Sequence, residues 1–150
     1  MSNIVGMDIT QVDTSPLFGL GQVGRTSDGN LYRYCQYEAG TAAVSGVAGE
    51  VAYYDGAGAS ATFVVTSDVS DSVGIGAGVL QAILADGEYG WLQTRGPATL
   101  TIALTAGADG NALTAVGAGD GTLDVSGAVT DFVCAVADDI SAKMIICMFP

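Results

Sequence analysis

At 150 residues the chain is long enough to bury one hydrophobic core, and with 49% apolar against 13% charged residues it is not a disordered segment. Sixteen acids against four bases leave a net charge of −12, which disfavours a nucleic-acid backbone or an anionic membrane as partner. Histidine is absent, removing the commonest general base and metal ligand near neutral pH, while 22 glycines with little glutamate and lysine oppose a helical bundle.

Residues 1–24 read as an extended arm, in which the polar-interrupted start gives way to Ser15-Pro16-Leu17-Phe18, a segment suited to packing on something, a neighbouring subunit included. Gly19-Leu20-Gly21-Gln22-Val23-Gly24 matches GxGxxG by letter. It lacks the apolar strand before and the helix after that a dinucleotide site requires, so it is read as a coincidence of composition.

A single β domain is expected over residues 25–150, opening after the turn Asp28-Gly29-Asn30. Leu31–Tyr37 alternates as a strand, with Leu31, Arg33, Cys35 and Tyr37 on one face and Tyr32, Tyr34 and Gln36 on the other. Further strands are expected at Glu50–Tyr54, Thr62–Thr66 and Val73–Ala82. Between them Asp68–Ser72 reads as an acidic, solvent-facing loop, and Val79–Ala85 has a spacing that fits a helix or a strand.

Tyr89–Gly96 holds the only tryptophan, with Trp91, Gln93 and Arg95 pointing one way and Leu92 and Thr94 the other. Pro97 reads as the first residue of a separate strand over Ala98–Leu104. The similar turns at Gly107–Asn111 and Gly117–Gly121 frame a hairpin-type element, with acidic turns expected to face water from Asp109 to Asp124. Val129–Val136 and Ser141–Phe149 close the chain as apolar strands, the last expected to be buried, with Asp138-Asp139 in the turn between them. The sum is an all-β fold: one small β-sandwich or β-barrel of about eight to ten short strands with an extended N-terminal arm.

Chemistry is thin along this chain. Cys35, Cys134 and Cys147 lie apart in apolar runs and read as reduced, buried thiols. Serines lack a histidine partner, the lone Lys143 sits in an apolar run, and the Asp-Gly turns do not form a twelve-residue calcium loop. The reading therefore assigns no catalytic, cofactor-binding or metal residue. It places candidate contact residues among the aromatics, with Tyr32 and Tyr34 as one strand-face patch, because tyrosine and tryptophan join apolar area to a polar handle. No basic leader or transmembrane-length run is visible, so synthesis in a reducing cytoplasm is expected.

The glycine-rich run Val73-Gly74-Ile75-Gly76-Ala77-Gly78-Val79-Leu80 followed by Tyr89-Gly90-Trp91-Leu92-Gln93-Thr94-Arg95-Gly96 resembles a core found in tailed-phage capsid decoration, or cement, proteins. The likeness extends roughly from Gly19 to Thr122. It implies a structural virion protein on the outer surface of an icosahedral head, binding across neighbouring major capsid protein subunits, self-associating as a homotrimer, and using neither nucleic acid nor membrane. The contact residues it implies, with the aromatic patch, are Pro16, Leu17, Phe18, Tyr32, Tyr34, Trp91 and Arg95. A receptor- or glycan-binding fibre or spike module is the alternative, and predicts aromatics facing solvent. A small trimeric β-enzyme of nucleotide metabolism is a third reading, without a supporting motif.

Overall fold

The computed structural model describes residues 4–5, 7–41, 43–56 and 59–150 of the chain. The fold is all-β, with strands β1 (Ile4–Val5), β2 (Val12–Asp13), β3 (Val23–Arg25), β4 (Leu31–Tyr37), β5 (Val51–Asp55), β6 (Val64–Thr66), β7 (Ser72–Leu80), β8 (Tyr89–Thr99), β9 (Ala112–Thr114), β10 (Asp124–Val125), β11 (Val133–Asp139) and β12 (Met144–Met148). A four-residue helix, α1 (Ala59–Thr62), precedes β6.

Strands β4, β6, β5, β7 and β8 pair in that order, and β8 pairs back onto β4, so the five close a ring. Closure follows from the alternation in β4 and β8. Their register places Cys35 opposite Gly90 and Arg33 opposite Leu92, so one face of each strand turns inward. The ring is filled by Cys35, Tyr37, Ala52, Tyr54, Val65, Ala77, Leu80 and Leu92, with Leu84 from the loop after β7. Side chains of this size leave no room for a channel through a ring this narrow.

Strand β8 is the hub. Its residues 89–95 pair with β4, while Tyr89 and Gly90 also pair with β2, Leu92 and Gln93 with β7, and Arg95 through Thr99 with β12. A residue has only two edges, so β2, β7 and β12 share the edge opposite β4. Beyond Arg95 the strand leaves the ring and founds a second layer, β8–β12–β11–β9–β10. Val51, Tyr53 and Val79 on the outer wall of the ring meet Leu113, Leu123, Cys134, Ala137, Ile145, Cys147 and Phe149 from that layer. Strand β5 is thus buried on both faces, its four residues Val51–Tyr54 serving two cores in turn.

The expected all-β class holds, and the strands expected at Leu31–Tyr37, Glu50–Tyr54 and Val73–Ala82 are present as β4, β5 and β7. The twelve strands exceed the expected eight to ten because three of them, β1, β2 and β10, are two-residue pairings with no sequence pattern of their own. Several boundaries differ: β11 runs Val133–Asp139 where Val129–Val136 was expected, and β12 is only Met144–Met148. Thr62 ends α1, and Phe63 takes a left-handed φ of 57°, so β6 begins only at Val64.

The break expected at Pro97 is also absent, β8 running through it to Thr99. The reason is direction: Leu100 N–H donates to Lys143 O (2.8 Å) and Phe149 N–H to Thr94 O (3.0 Å), so even-numbered residues of β8 bond to β12. With a period of two, the missing N–H of Pro97 falls on the opposite edge, which β4 has already left. There Gln93 Nε2 donates to the carbonyls of Arg95 (3.1 Å) and Pro97 (2.9 Å). The segment after Thr99 is held differently, Thr101 N–H donating to Gly49 O at 2.9 Å.

Candidate contact surfaces

Met7, Ile9, Phe18 and Leu20 of the arm lie over Tyr32, Tyr34 and Trp91 on the outer face of β4 and β8. Phe18 stands edge-on to Tyr34 (5.2 Å, 83°) and tilted on Trp91 (5.3 Å), and Tyr34 contacts Trp91 at 5.1 Å. Such aromatic pairs contribute about 0.5–1.5 kcal/mol each beyond the area they bury. The Tyr34 hydroxyl donates to the Asp13 carboxylate and accepts from Leu17 N–H (3.3 Å). Burial, and next that bond to Asp13, push its ionisation upward.

This arrangement corrects the contact assignment. Tyr32, Tyr34 and Trp91 are buried within their own chain, and the arm itself covers them, so they offer no patch to a partner. Phe18 faces the same cluster rather than a neighbour. Of the arm's proposed anchors, Pro16 is exposed, as is Leu17 at 64%. Arg95 is exposed too, but it stands opposite Leu31 at the end of the β4 pairing and outside this cluster. The remaining tyrosines give no surface either: Tyr37, Tyr53 and Tyr54 are buried, and Tyr89 is half-buried against Tyr34.

A second feature is a small cavity of about 50 Å³ lined by Val44, Glu50, Ser67, Asp68, Ile102 and Asp120. Burial first, and then Asp120 nearby, push the Glu50 carboxyl above its ordinary value. The acids here hold turns: Asp68 accepts from Ser70 N–H (3.0 Å) and Ser70 Oγ–H (2.6 Å), and Asp120 accepts from Val69 N–H (2.9 Å). Asp68 is buried, which corrects the expectation of a wholly solvent-facing loop; its backbone follows the buried Thr66 and Ser67 out of β6. Asp139, expected in a turn, ends β11 and accepts from Ser141 and Ala142 N–H groups, while Asp109 accepts from Ile140 N–H (2.9 Å). Among the described residues no set of three acidic, cysteine or histidine side chains is placed to hold a metal ion.

The three cysteines are free and buried, and burial pushes each thiol up to about 12. Arg33 lays its guanidinium over the Phe63 ring at 5.2 Å. No described helix is long and apolar enough to cross a membrane.

The residues that sequence reasoning missed are on the outer face of the second layer. Ile146 (42% exposed) and Met148 (37%) alternate with buried Ile145 and Cys147. The run Met144–Met148 is apolar at every position, so no polar residue marks its outer face, and the expectation of a wholly buried strand fails there.

No protein-family model matches the chain, and neither the curated proteins nor the solved structures contain a match to it.

Proposed function

We propose that this chain is a structural virion protein that decorates and stabilises the outer surface of an icosahedral phage capsid, binding across neighbouring major capsid protein subunits. The observation that carries the reading is the Val73–Gly96 pattern, whose two halves form β7 and β8, adjacent strands in the wall of the ring. The acidic composition suits an outward surface that stays dispersed and does not adhere to anionic neighbours. The protein acts by mass action: many copies, each favouring the mature lattice, add their binding free energies to that lattice. Copies associate with one another on the shell, and the chain reaches it after synthesis in the host cytoplasm.

The receptor- or glycan-binding alternative predicts aromatics facing solvent, whereas Tyr32, Tyr34 and Trp91 are buried. The test is co-sedimentation with purified heads of the phage that encodes the chain. Binding to expanded heads but not to unexpanded ones is expected. Failure to bind either form sinks the proposal, and binding to host cells instead moves the receptor reading to the front.

A further inference from the structure

The outer face of β8–β12–β11–β9 is apolar across its width. The strand registers align Pro97, Ile146, Val136 and Ala112 in one row across the four strands. On one side of that row Met148 pairs with Arg95, and on the other Met144 pairs with Thr99. Burial alternates along β8 and β12, where Ala98, Ile145 and Cys147 are buried while Pro97, Ile146 and Met148 are exposed. On β11 Val136 is half-buried between buried Ala135 and Ala137, and on β9 Ala112 is exposed beside buried Leu113. In monomeric proteins contiguous apolar faces of this kind mark interaction sites.

Two charges flank the patch. Arg95 on β8 and Asp138 on β11 are both exposed, and neither side chain has a hydrogen-bond or ion-pair partner among the described residues. Arg95 is one of only four basic residues in a chain with sixteen acids, so its place beside an apolar row is notable on charge grounds. The two sit on opposite sides of the Pro97–Ile146–Val136 row and two strands apart, with β12 between them. Asp138 is the extra residue of a bulge, lying between the Ala137–Ile145 and Asp139–Met144 pairs. With strands about 4.8 Å apart and alternate residues about 6.8 Å apart, Ile146 still stands within a few Å of the midpoint of the diagonal that joins the two charges.

We infer that this face binds a second copy of the chain about a two-fold axis that passes through Ile146. An axis lying in the plane of the interface, perpendicular to the Arg95–Asp138 diagonal, exchanges the two charges. Arg95 of each copy then meets Asp138 of the other, twice, and Ile146 meets its own mate while Met148 meets Val136. An isologous interface requires this reciprocity: whatever residue i contacts must in turn contact i. Two charges of the same sign would repel in that geometry, and a charge on one side only would be left without a partner. The inference does not rest on the capsid reading.

Four strands about 4.8 Å apart, each presenting two or three outward residues about 6.8 Å apart, span on the order of 400 Å². That is below the about 800 Å² per partner of a standard interface, so the pair forms at high concentration, with a dissociation constant of micromolar order or weaker. Sedimentation equilibrium or light scattering from about 10 µM to about 1 mM reads it directly, mass moving from one protomer towards two. Ile146→Asp, at a position 42% exposed, is expected to leave a folded monomer throughout. Arg95→Asp and Asp138→Arg each place like charges opposite one another twice and weaken pairing by about tenfold or more. The double exchange, Arg95→Asp with Asp138→Arg, restores the pairs in reverse and returns the dissociation constant to within about threefold of the parent.

A mass fixed at one protomer across the range overturns the inference, as does a mass of three. Failure of the double exchange to recover what each single exchange lost also overturns it. If the protein stays monomeric while Ile146→Asp abolishes binding to heads, the face belongs to the shell and not to a second copy.

Discussion

Phe18 shows how one side chain fixes the arm. It is only half-buried, yet it contacts both Tyr34 and Trp91, and the neighbouring Leu17 N–H is held by the Tyr34 hydroxyl. Truncating it to alanine removes the lid of that cluster. Phe18→Ala is expected to lower stability by about 2 kcal/mol, below the full cost of a wholly buried phenylalanine because part of the ring already meets water. Chemical denaturation followed by Trp91 emission checks it, and the folded variant is also expected to emit further to the red as water reaches the indole. A variant as stable as the parent, with unchanged emission, would show that the arm is held elsewhere.

At the scale of elements, closure of the ring depends on how near β7 comes to β8. Ala77 is the extra residue of a bulge, since Ala52 pairs with Gly78 and Tyr53 with Gly76. Just beyond it, a Cβ added at Gly78 would lie 2.8 Å from Gln93 O and 2.9 Å from Leu92 Cβ. Backbone on the facing strand cannot rotate away as a side-chain tip can. Gly78→Ala therefore forces β7 off β8 and is expected to cost about 2–3 kcal/mol or to prevent folding. At Gly87, where nothing lies within 4 Å and the φ of 80° is a turn's, the same change costs about 1 kcal/mol. Thermal denaturation of the pair reads the contrast, and equal losses at both sites would refute the account of ring closure.

For the whole molecule, charge and burial set the pH dependence together. Glu50 and Asp55 have their carboxyls raised, chiefly by burial. Their contribution to stability is fully present below their unfolded values and is lost as pH rises through the folded ones. Asp8, Asp28 and Asp139 are lowered, chiefly by hydrogen bonds from Thr10, Thr26 and Ser141. Their contribution runs the other way: it is present above the unfolded value and is lost as pH falls through the folded one. Self-repulsion at a net charge of −12 also grows towards neutral pH. The midpoint of thermal unfolding is therefore expected to peak on the acid side of neutrality, above about pH 4, and Glu50→Gln is expected to raise it at about pH 7 but not at about pH 3. Calorimetry across that range decides, and a midpoint climbing steadily from about pH 5 to about pH 8 would contradict it.

Much of this was legible in the sequence. The alternation of Leu31–Tyr37 and Tyr89–Gly96 fixed both strands and both of their faces, because a side-chain period of two is a local property of extended backbone. The apolar settings of Cys35, Cys134 and Cys147 marked them as buried thiols for an equally local reason. What covers a face is not local. Only the folded chain decides that the outward side of β4 and β8 meets the arm, so that Tyr32, Tyr34 and Trp91 became core rather than contact surface. Only the pairing of β8 with β12 shows that the missing N–H of Pro97 faces an edge already vacated. The all-apolar run Met144–Met148 carries no mark of which side meets water. Cross-strand register alone brings Arg95 of β8 onto one face with Ile146 and Asp138 of the distant β11–β12 pair, because a sheet is assembled from hydrogen bonds between segments and not within them.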